Sequence, residues 1–186
     1  PGSIVVLEAN KVIKSGAIGV NVRQDATYVL VDVENRSRRE RRVALDGMLR
    51  DQDGGEVGAL SVDELRIPAG ETRTFALVCN RVASNAVDAT FGVRGSAAID
   101  YAAPVVIASL EVEPLPNTVA AWVRVENNEG RPVVATLLAT FYGADGKILG
   151  RPFTILELHA KSSRPFRFVG PRGAARAVAF VGDVLQ

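Results

Sequence analysis

The sequence is poor in the residues that most often build catalytic and metal centres. Its 186 residues include one cysteine, Cys79, and one histidine, His159. A lone cysteine excludes an intramolecular disulfide and any cysteine-based zinc site. A lone histidine gives neither a metal cluster nor a catalytic triad, and the G-x-S-x-G, G-x-G-x-x-G and P-loop motifs are absent. We predict no catalytic residue, no metal and no cofactor; only a pair of distant carboxylates stays open as an enzymatic alternative.

An excess of charge of one sign is also lacking. The 22 basic and 21 acidic residues leave a net charge of +1, which argues against a nucleic-acid partner. The longest apolar run, residues 102–110, is too short for a bilayer span of about 20 residues. Pro1-Gly2-Ser3 resembles an expression-vector remnant. A link to a membrane would therefore depend on a removed anchor or on an anionic surface.

The tripeptide Val-Glu-Asn occurs twice, at 33–35 and 125–127, an offset of 92 residues (125 − 33). The same offset relates Asp53-Gly54 to Asp145-Gly146. The segments 65–77 and 156–168 match with an offset of 91 (156 − 65), as expected for one deletion in a loop. A period of this length indicates a duplicated domain rather than a solenoid repeat.

Within each copy, apolar residues recur with a period of two, which predicts β-strands. Asp-Gly predicts a tight hairpin turn, and Pro68-Ala-Gly-Glu71 predicts a second loop. The sequence thus predicts an all-β protein of two tandem immunoglobulin-like or fibronectin-III-like antiparallel β-sandwiches, residues 1–101 and 102–186. Ser3–Glu8 precedes the aligned part of copy one, so we predict an extra N-terminal strand there and, from it, a homo-oligomer.

The segment 123–150 resembles the bacterial FxLYD-type immunoglobulin-like domains. Their strand end and aromatic hairpin match Asn127-Asn128, Phe141-Tyr142, Asp145-Gly146 and Leu149; their Pro-Gly-Glu segment matches Leu65, Pro68, Gly70, Glu71 and Phe75. The chain departs from the pattern at Gly143 and at Leu49-Arg50-Asp51. The resemblance implies an envelope or secreted non-enzymatic module, and it transfers no functional residues.

Two candidate binding sites follow from composition. The first candidate is a cluster of arginines that could bind phosphate or carboxylate groups: Arg36, Arg38, Arg39, Arg41 and Arg42. We favour the alternative of a solvated loop, because the aligned stretch 128–131 of the second copy lacks the cluster. The second candidate is Trp122, either a contact for sugar or protein or a covered structural residue. Because its counterpart Leu30 is also apolar, we expect Trp122 to be covered.

Three other features have structural interpretations. The acidic stretch 51–56 fails the EF-hand pattern and is predicted to be a hairpin turn. Cys79 alternates with Phe75 and Leu77 and is predicted to be a buried thiol. His159 is predicted to lie in a loop.

These observations favour a non-enzymatic bacterial protein of the periplasm, the outer membrane (as a lipoprotein, for example) or the extracellular space. Its partner would be a protein or a cell-envelope polymer, and its role protein binding or spacing. A carbohydrate-binding or surface adhesion module is the first alternative. A pilus-type periplasmic chaperone is the second; it would need residues 87–100 as a donor strand, for which Gly92 and Gly95 are poorly suited.

Overall fold

A computed structural model describes residues 2–17 and 25–186. The described residues form thirteen strands and no helix, and none of their segments is a helix long and apolar enough to cross a membrane. The strands are β1 (Ile4–Ala17), β2 (Asp25–Asn35), β3 (Arg41–Arg50), β4 (Glu56–Ile67), β5 (Thr72–Cys79), β6 (Asp88–Ala98), β7 (Val105–Leu115), β8 (Thr118–Asn127), β9 (Val133–Gly143), β10 (Ile148–Gly150), β11 (Phe153–Leu158), β12 (Ser163–Val169) and β13 (Ala174–Leu185). The chain divides into unit 1, Pro1–Asp100, and unit 2, Tyr101–Gln186.

Unit 1 is a β-sandwich of two three-stranded antiparallel sheets. One sheet has the order β1-β2-β5 and the other the order β4-β3-β6. The facing sides carry the fully buried residues of the two central strands, Val29, Val31, Val33, Val43, Leu45 and Leu49. This period-two burial is the predicted pattern, because alternate side chains of a strand point to opposite faces.

Unit 2 repeats this arrangement. One sheet has the order β7-β8-β12; in the other, β9 pairs with β13 on one side and with β10 and β11 on the other. Its core includes Val123, Val125, Leu137, Phe141 and Leu158. The prediction of an all-β chain with two tandem β-sandwiches is confirmed.

Strand β1 is not surplus, so the predicted extra strand is wrong. It pairs with β2 as β7 pairs with β8: Arg36 N donates to Ser3 O at 2.7 Å, and Asn128 N donates to Pro104 O at 2.9 Å. The two first strands thus correspond with an offset of 101 residues (104 − 3), which differs from that of the rest of the repeat. The prediction of a homo-oligomer was derived from a surplus strand, so this structure gives no support for it.

The Val-Glu-Asn repeat marks one buried asparagine in each unit. Asn35 Nδ2 donates to the carbonyls of Arg39 and Ile67, both at 2.8 Å, and its Oδ1 accepts from Ser37 N at 3.0 Å. Asn35 is fully buried, and its side chain ties the β2–β3 loop to the end of β4. A buried amide is stable only with such partners.

Asn127 makes the equivalent contacts in unit 2. Its Nδ2 donates to Arg131 O at 2.9 Å and His159 O at 3.0 Å, and its Oδ1 accepts from Glu129 N at 2.9 Å. The side-chain amides of Asn35 and Asn127 thus link the equivalent pair of loops in the two units. The motif is retained for this structural task, which the sequence repeat alone did not reveal.

The predicted turns are confirmed. Gly54 and Gly146 each have a φ of +79°, a left-handed conformation that glycine adopts without strain. Asp51 N donates to Gly55 O at 3.0 Å in the first hairpin, and Gly143 N donates to Lys147 O at 2.9 Å in the second. Residues 51–55 of the acidic stretch therefore form the hairpin connection between β3 and β4, and Glu56 begins β4.

Candidate functional site

The outer face of the β7-β8-β12 sheet presents the exposed tryptophan. Trp122 lies on the central strand β8, directly between Glu111 of β7 and Arg167 of β12. Residues paired across adjacent strands have side chains on the same face, so these three form one row. We call the row together with Glu113 and Arg124 the Trp122 face.

Trp122 is held in place by a carboxylate and a guanidinium. Its indole Nε1 donates to Glu113 Oε2 at 2.7 Å, and the Arg167 guanidinium carbon lies 5.2 Å from the ring centroid. Arg167 and Glu113 also form an ion pair at 3.6 Å. Because the hydrogen bond, the cation–π contact and the ion pair share these three side chains, the ring orientation is fixed before any ligand arrives.

The expectation that Trp122 is covered is wrong, because 45% of its surface is exposed. Its counterpart Leu30 is 2% exposed, so the two units differ at this position. The neighbouring position differs too: unit 1 has buried Asp32, which accepts from Thr74 Oγ1 at 2.5 Å, whereas unit 2 has exposed Arg124. The outer faces of the first sheets have therefore diverged, although their cores are conserved between the copies.

Glu113 and Arg167 were missed in the sequence analysis. Glu113 is nine residues from Trp122 and Arg167 is 45 residues away (167 − 122), so their proximity depends on strand register. The alternation Glu111-Val112-Glu113 indicated an exposed carboxylate face on that strand. It carried no information about which aromatic ring this face would meet.

The arginine cluster lies on the β2–β3 loop and the start of β3, and much of its charge is neutralised. Arg36 pairs with Glu34 at 2.9 Å, Arg39 with Asp100 at 3.0 Å, and Arg42 with Glu64 at 3.1 Å. Paired arginines at an exposed surface form a weaker anion site than five free guanidiniums would.

Two arginines of the cluster have no acidic partner among the described residues. The Arg41 guanidinium meets neutral acceptors, donating to Ser96 O at 3.3 Å and Ser96 Oγ at 3.2 Å. Arg38 is exposed and makes no ion pair within the described part of the chain. The positive charge available to a ligand is concentrated on these two side chains.

The other singled-out residues lie where the sequence placed them. Cys79 is buried at the end of β5, and His159 lies in the loop after β11, where its carbonyl accepts from Asn127. Among the described residues no three His, Cys, Asp or Glu side chains cluster as metal ligands would. An open concavity of about 360 Å³ lies in unit 1, lined by Glu56, Val57, Arg81, Val82, Ala83 and Asn85.

Comparison with known proteins gives a distant structural likeness. No protein-family model matches the sequence, and no curated protein matches it. Among solved structures the chain is similar to the N-terminal CBM22-1-CBM22-2 tandem domain of Xyn10C from Paenibacillus barcinonensis, with 8% identity and a TM-score of 0.16 over 97% of this chain and 85% of that chain. A TM-score this low carries no argument, so the fold assignment depends on the strand pairing described above.

Proposed function

We propose that this chain is a non-enzymatic binding protein and that unit 2 contacts a protein partner through the Trp122 face. The observation that carries the proposal is the exposed, oriented indole at the centre of an open sheet face. Tryptophan is enriched among residues that dominate binding energy, and such anchors are surrounded by a polar rim. Glu111, Arg124 and Arg167 would supply that rim.

The orientation of Trp122 supports a binding role over a purely structural one. The exposed apolar surface of an indole is unfavourable in water, so a partner that covers this surface would gain binding free energy. Because Glu113 and Arg167 already fix the ring, a partner would lose little side-chain entropy on contact. The resemblance to FxLYD-type domains supports a location in the bacterial envelope or outside the cell.

A carbohydrate ligand is the second candidate, because an exposed indole next to a carboxylate and a guanidinium also suits a sugar ring and its hydroxyl groups. Arg167 lies over one part of the ring, which leaves less of the indole for stacking. Trp122 is the single tryptophan of the chain, so an extended platform of several indoles for a long polysaccharide is not available. These two points favour a protein partner.

Replacing Trp122 by Ala should abolish most of the binding. We expect the affinity for the partner to fall by about 30-fold or more, the effect of losing an anchor of about 2 kcal/mol or more. Proteins captured from the source organism by the wild-type chain and lost with Trp122→Ala would be purified, and their affinities measured by calorimetry. A glycan array with the same two proteins tests the second candidate.

Ile155→Ala is the matched control, because Ile155 is another large apolar side chain of unit 2 and is 63% exposed on β11. This variant should bind like the wild type. Equal affinity of the wild-type and Trp122→Ala proteins for every purified partner would refute the proposal. Glycan binding that requires Trp122 would replace the protein partner with a carbohydrate.

A further inference from the structure

In each unit the described residues lack the last strand of a complete immunoglobulin-like sandwich, because β6 pairs with β3 alone and β13 pairs with β9 alone. Such a sandwich has seven strands, the last of which pairs with the sixth. The described residues of unit 1 supply six, and β6 pairs with β3 on one side only. After β6 the chain continues to β7, which pairs with β8 in unit 2. The described part of unit 1 thus leaves one edge of β6 without a partner strand.

A slot lies beside this free edge. Val93 and Ser96 of β6 pair with the buried residues Leu45 and Val43, so their side chains face the interior of the sandwich. Both are nevertheless exposed, Val93 by 42%. On the facing sheet, Ile4 of β1 pairs with Asn35 and Val6 pairs with Val33, both of which are buried. The side chains of Ile4 and Val6 therefore face the same interior, and they are half-buried. The described residues of unit 1 thus leave its interior open to solvent between β1 and β6.

The described residues of unit 2 leave the same edge unpaired, on β13, but side chains of β13 close the equivalent slot. The residues equivalent to Val93 and Ser96 are Val181 and Val184, which pair with Leu137 and Ala135. Both valines pack against the core of unit 2. Where unit 2 has a valine, unit 1 has the smaller and polar Ser96. The open slot is therefore a property of unit 1 and not of the repeated fold.

Other edges carry features that discourage strand addition. On β5, Ala76 N donates to Asp63 Oδ2 at 3.0 Å and Val78 N to Ser61 Oγ at 3.1 Å, so side chains of β4 already occupy that edge. Proline, which has no N–H, lies within the edge strands β7 and β12, at Pro114 and Pro165. Residues 95–98 of β6 are small, uncharged and exposed. On this edge Arg41 donates to Ser96 O at 3.3 Å, a contact that an added strand would replace, whereas the edge N–H groups of Ser96 and Ala98 meet no side-chain acceptor among the described residues. Edges of this kind favour pairing with another strand.

The two ends of the slot differ in charge. At one end Lys11 of β1 pairs with Asp88 of β6 at 2.9 Å; the hydrogen bond from Lys11, with another from the Ala89 N–H, lowers the pKa of Asp88. At the other end the β2–β3 loop joins both strands, since Arg36 N donates to Ser3 O and Ile99 N to Glu40 O. That loop and the start of β3 carry the two arginines without an acidic partner, Arg38 and Arg41.

We infer that unit 1 binds an extended segment of another protein, which adds as a strand to the free edge of β6. Its apolar side chains, at alternate positions, would enter the slot between β1 and β6. An acidic group of the segment would lie beside Arg41 and Arg38, which complement its charge. Backbone hydrogen bonds would supply affinity, and the slot and the arginines would supply selectivity. This site is independent of the Trp122 face.

The test uses the full chain and a synthetic probe, acetyl-Asp-Val-Thr-Val-Thr-Val-Thr-amide. N–H groups alternate in direction along a strand, and Ile99 donates toward β3, so those of Ala98 and Ser96 face the free edge. The peptide should slow hydrogen exchange at these two amides. Ser96→Val, which copies unit 2, and Ala98→Pro, which removes an N–H, should each weaken binding about tenfold, as expected for about 1.4 kcal/mol of lost contacts.

Ala97→Val is the matched control, because Ala97 pairs with Arg42 and points to the opposite face of the sheet; it should bind like the wild type. A peptide with Lys in place of Asp should bind about threefold more weakly at low salt, and Arg41→Gln should remove that difference. Absence of protection at millimolar peptide, or equal losses in Ser96→Val and Ala97→Val, would overturn the inference. Protection that grows with protein concentration alone would do so too, by identifying a second copy as the occupant.

Discussion

Replacing Asn127 by Asp should destabilise unit 2 by about 3–5 kcal/mol, the usual cost of an uncompensated buried charge. The substitution keeps the shape of the side chain and converts its donor into a second acceptor. The new carboxylate would face the carbonyls of Arg131, Leu158 and His159, which accept from Asn127 Nδ2 in the native chain. Such a loss is a large fraction of the 5–15 kcal/mol that stabilises a typical domain.

The loss should depend on pH in a defined direction. Burial against carbonyl groups raises the folded-state pKa of the new carboxyl group above its ordinary value, so the variant is most stable below that ordinary value and loses stability as pH rises through the raised one. Denaturant melts at several pH values, with hydrogen exchange to localise the effect in unit 2, would measure this. Asn128→Asp is the control, since Asn128 is exposed; a similar loss there would contradict the explanation.

Asn35→Asp should have the same effect in unit 1, because Asn35 makes the equivalent contacts. This equivalence explains why the repeat was visible in the sequence. The side chain of the asparagine donates to backbone carbonyls at fixed positions in two loops. The alternating valines before it form the strand that places the asparagine next to those carbonyls. Local patterns of this kind, strands and turns included, are determined by residues near one another in the chain. They were therefore predictable.

The predictions that were wrong, the extra N-terminal strand and the covered Trp122, depend on contacts between segments that are distant in the sequence. The correspondence of β1 with β7 is hidden mainly because the connections differ in length: nine residues (17–25) separate the paired Gly16 and Ala26, whereas two (116–117) separate the equivalent Leu115 and Thr118. In addition, β1 has four residues, Glu8–Lys11, opposite Val31 of β2, whereas the irregularity in β7 is the single residue Ala108. The longer connection and the bulge together change the offset from 92 to 101 and hide the repeat. The exposure of Trp122 was predicted wrongly because an apolar counterpart in the other copy does not determine what covers a sheet face.

The arginine cluster shows the same limit. Its composition suggested an anion site, but the charge it offers depends on Asp100 and Glu64, which are far from it in the sequence. Only the strand register shows that Arg41 meets serine rather than a carboxylate. Three of the five arginines are thus neutralised by ion pairs, and the charges of the other two are available to a ligand.

Gly170→Ala should destabilise unit 2 by about 1–3 kcal/mol, as overpacking of a core usually does. A Cβ at Gly170 would lie 2.5 Å from Cδ1 of Phe141 and 3.0 Å from Cβ of Ala174. Phe141 is fully buried, so its ring has little room to move. Denaturant melts would measure the loss. Gly130→Ala is the control, because a Cβ there meets nothing within 4 Å.

Unit 1 provides the compensating change. The counterparts of Phe141 and Gly170 are Leu49 and Cys79, by offsets of 92 (141 − 49) and 91 (170 − 79), so the smaller side chain on β3 accompanies the larger one at the end of β5. The double variant Phe141→Leu with Gly170→Cys should therefore lose less stability than the sum of the two single variants. We expect a favourable coupling of about 0.5–3 kcal/mol, the range for residues in contact. Strict additivity would show that the two positions are not packed against each other, and the single cysteine of the chain would need another explanation than core packing.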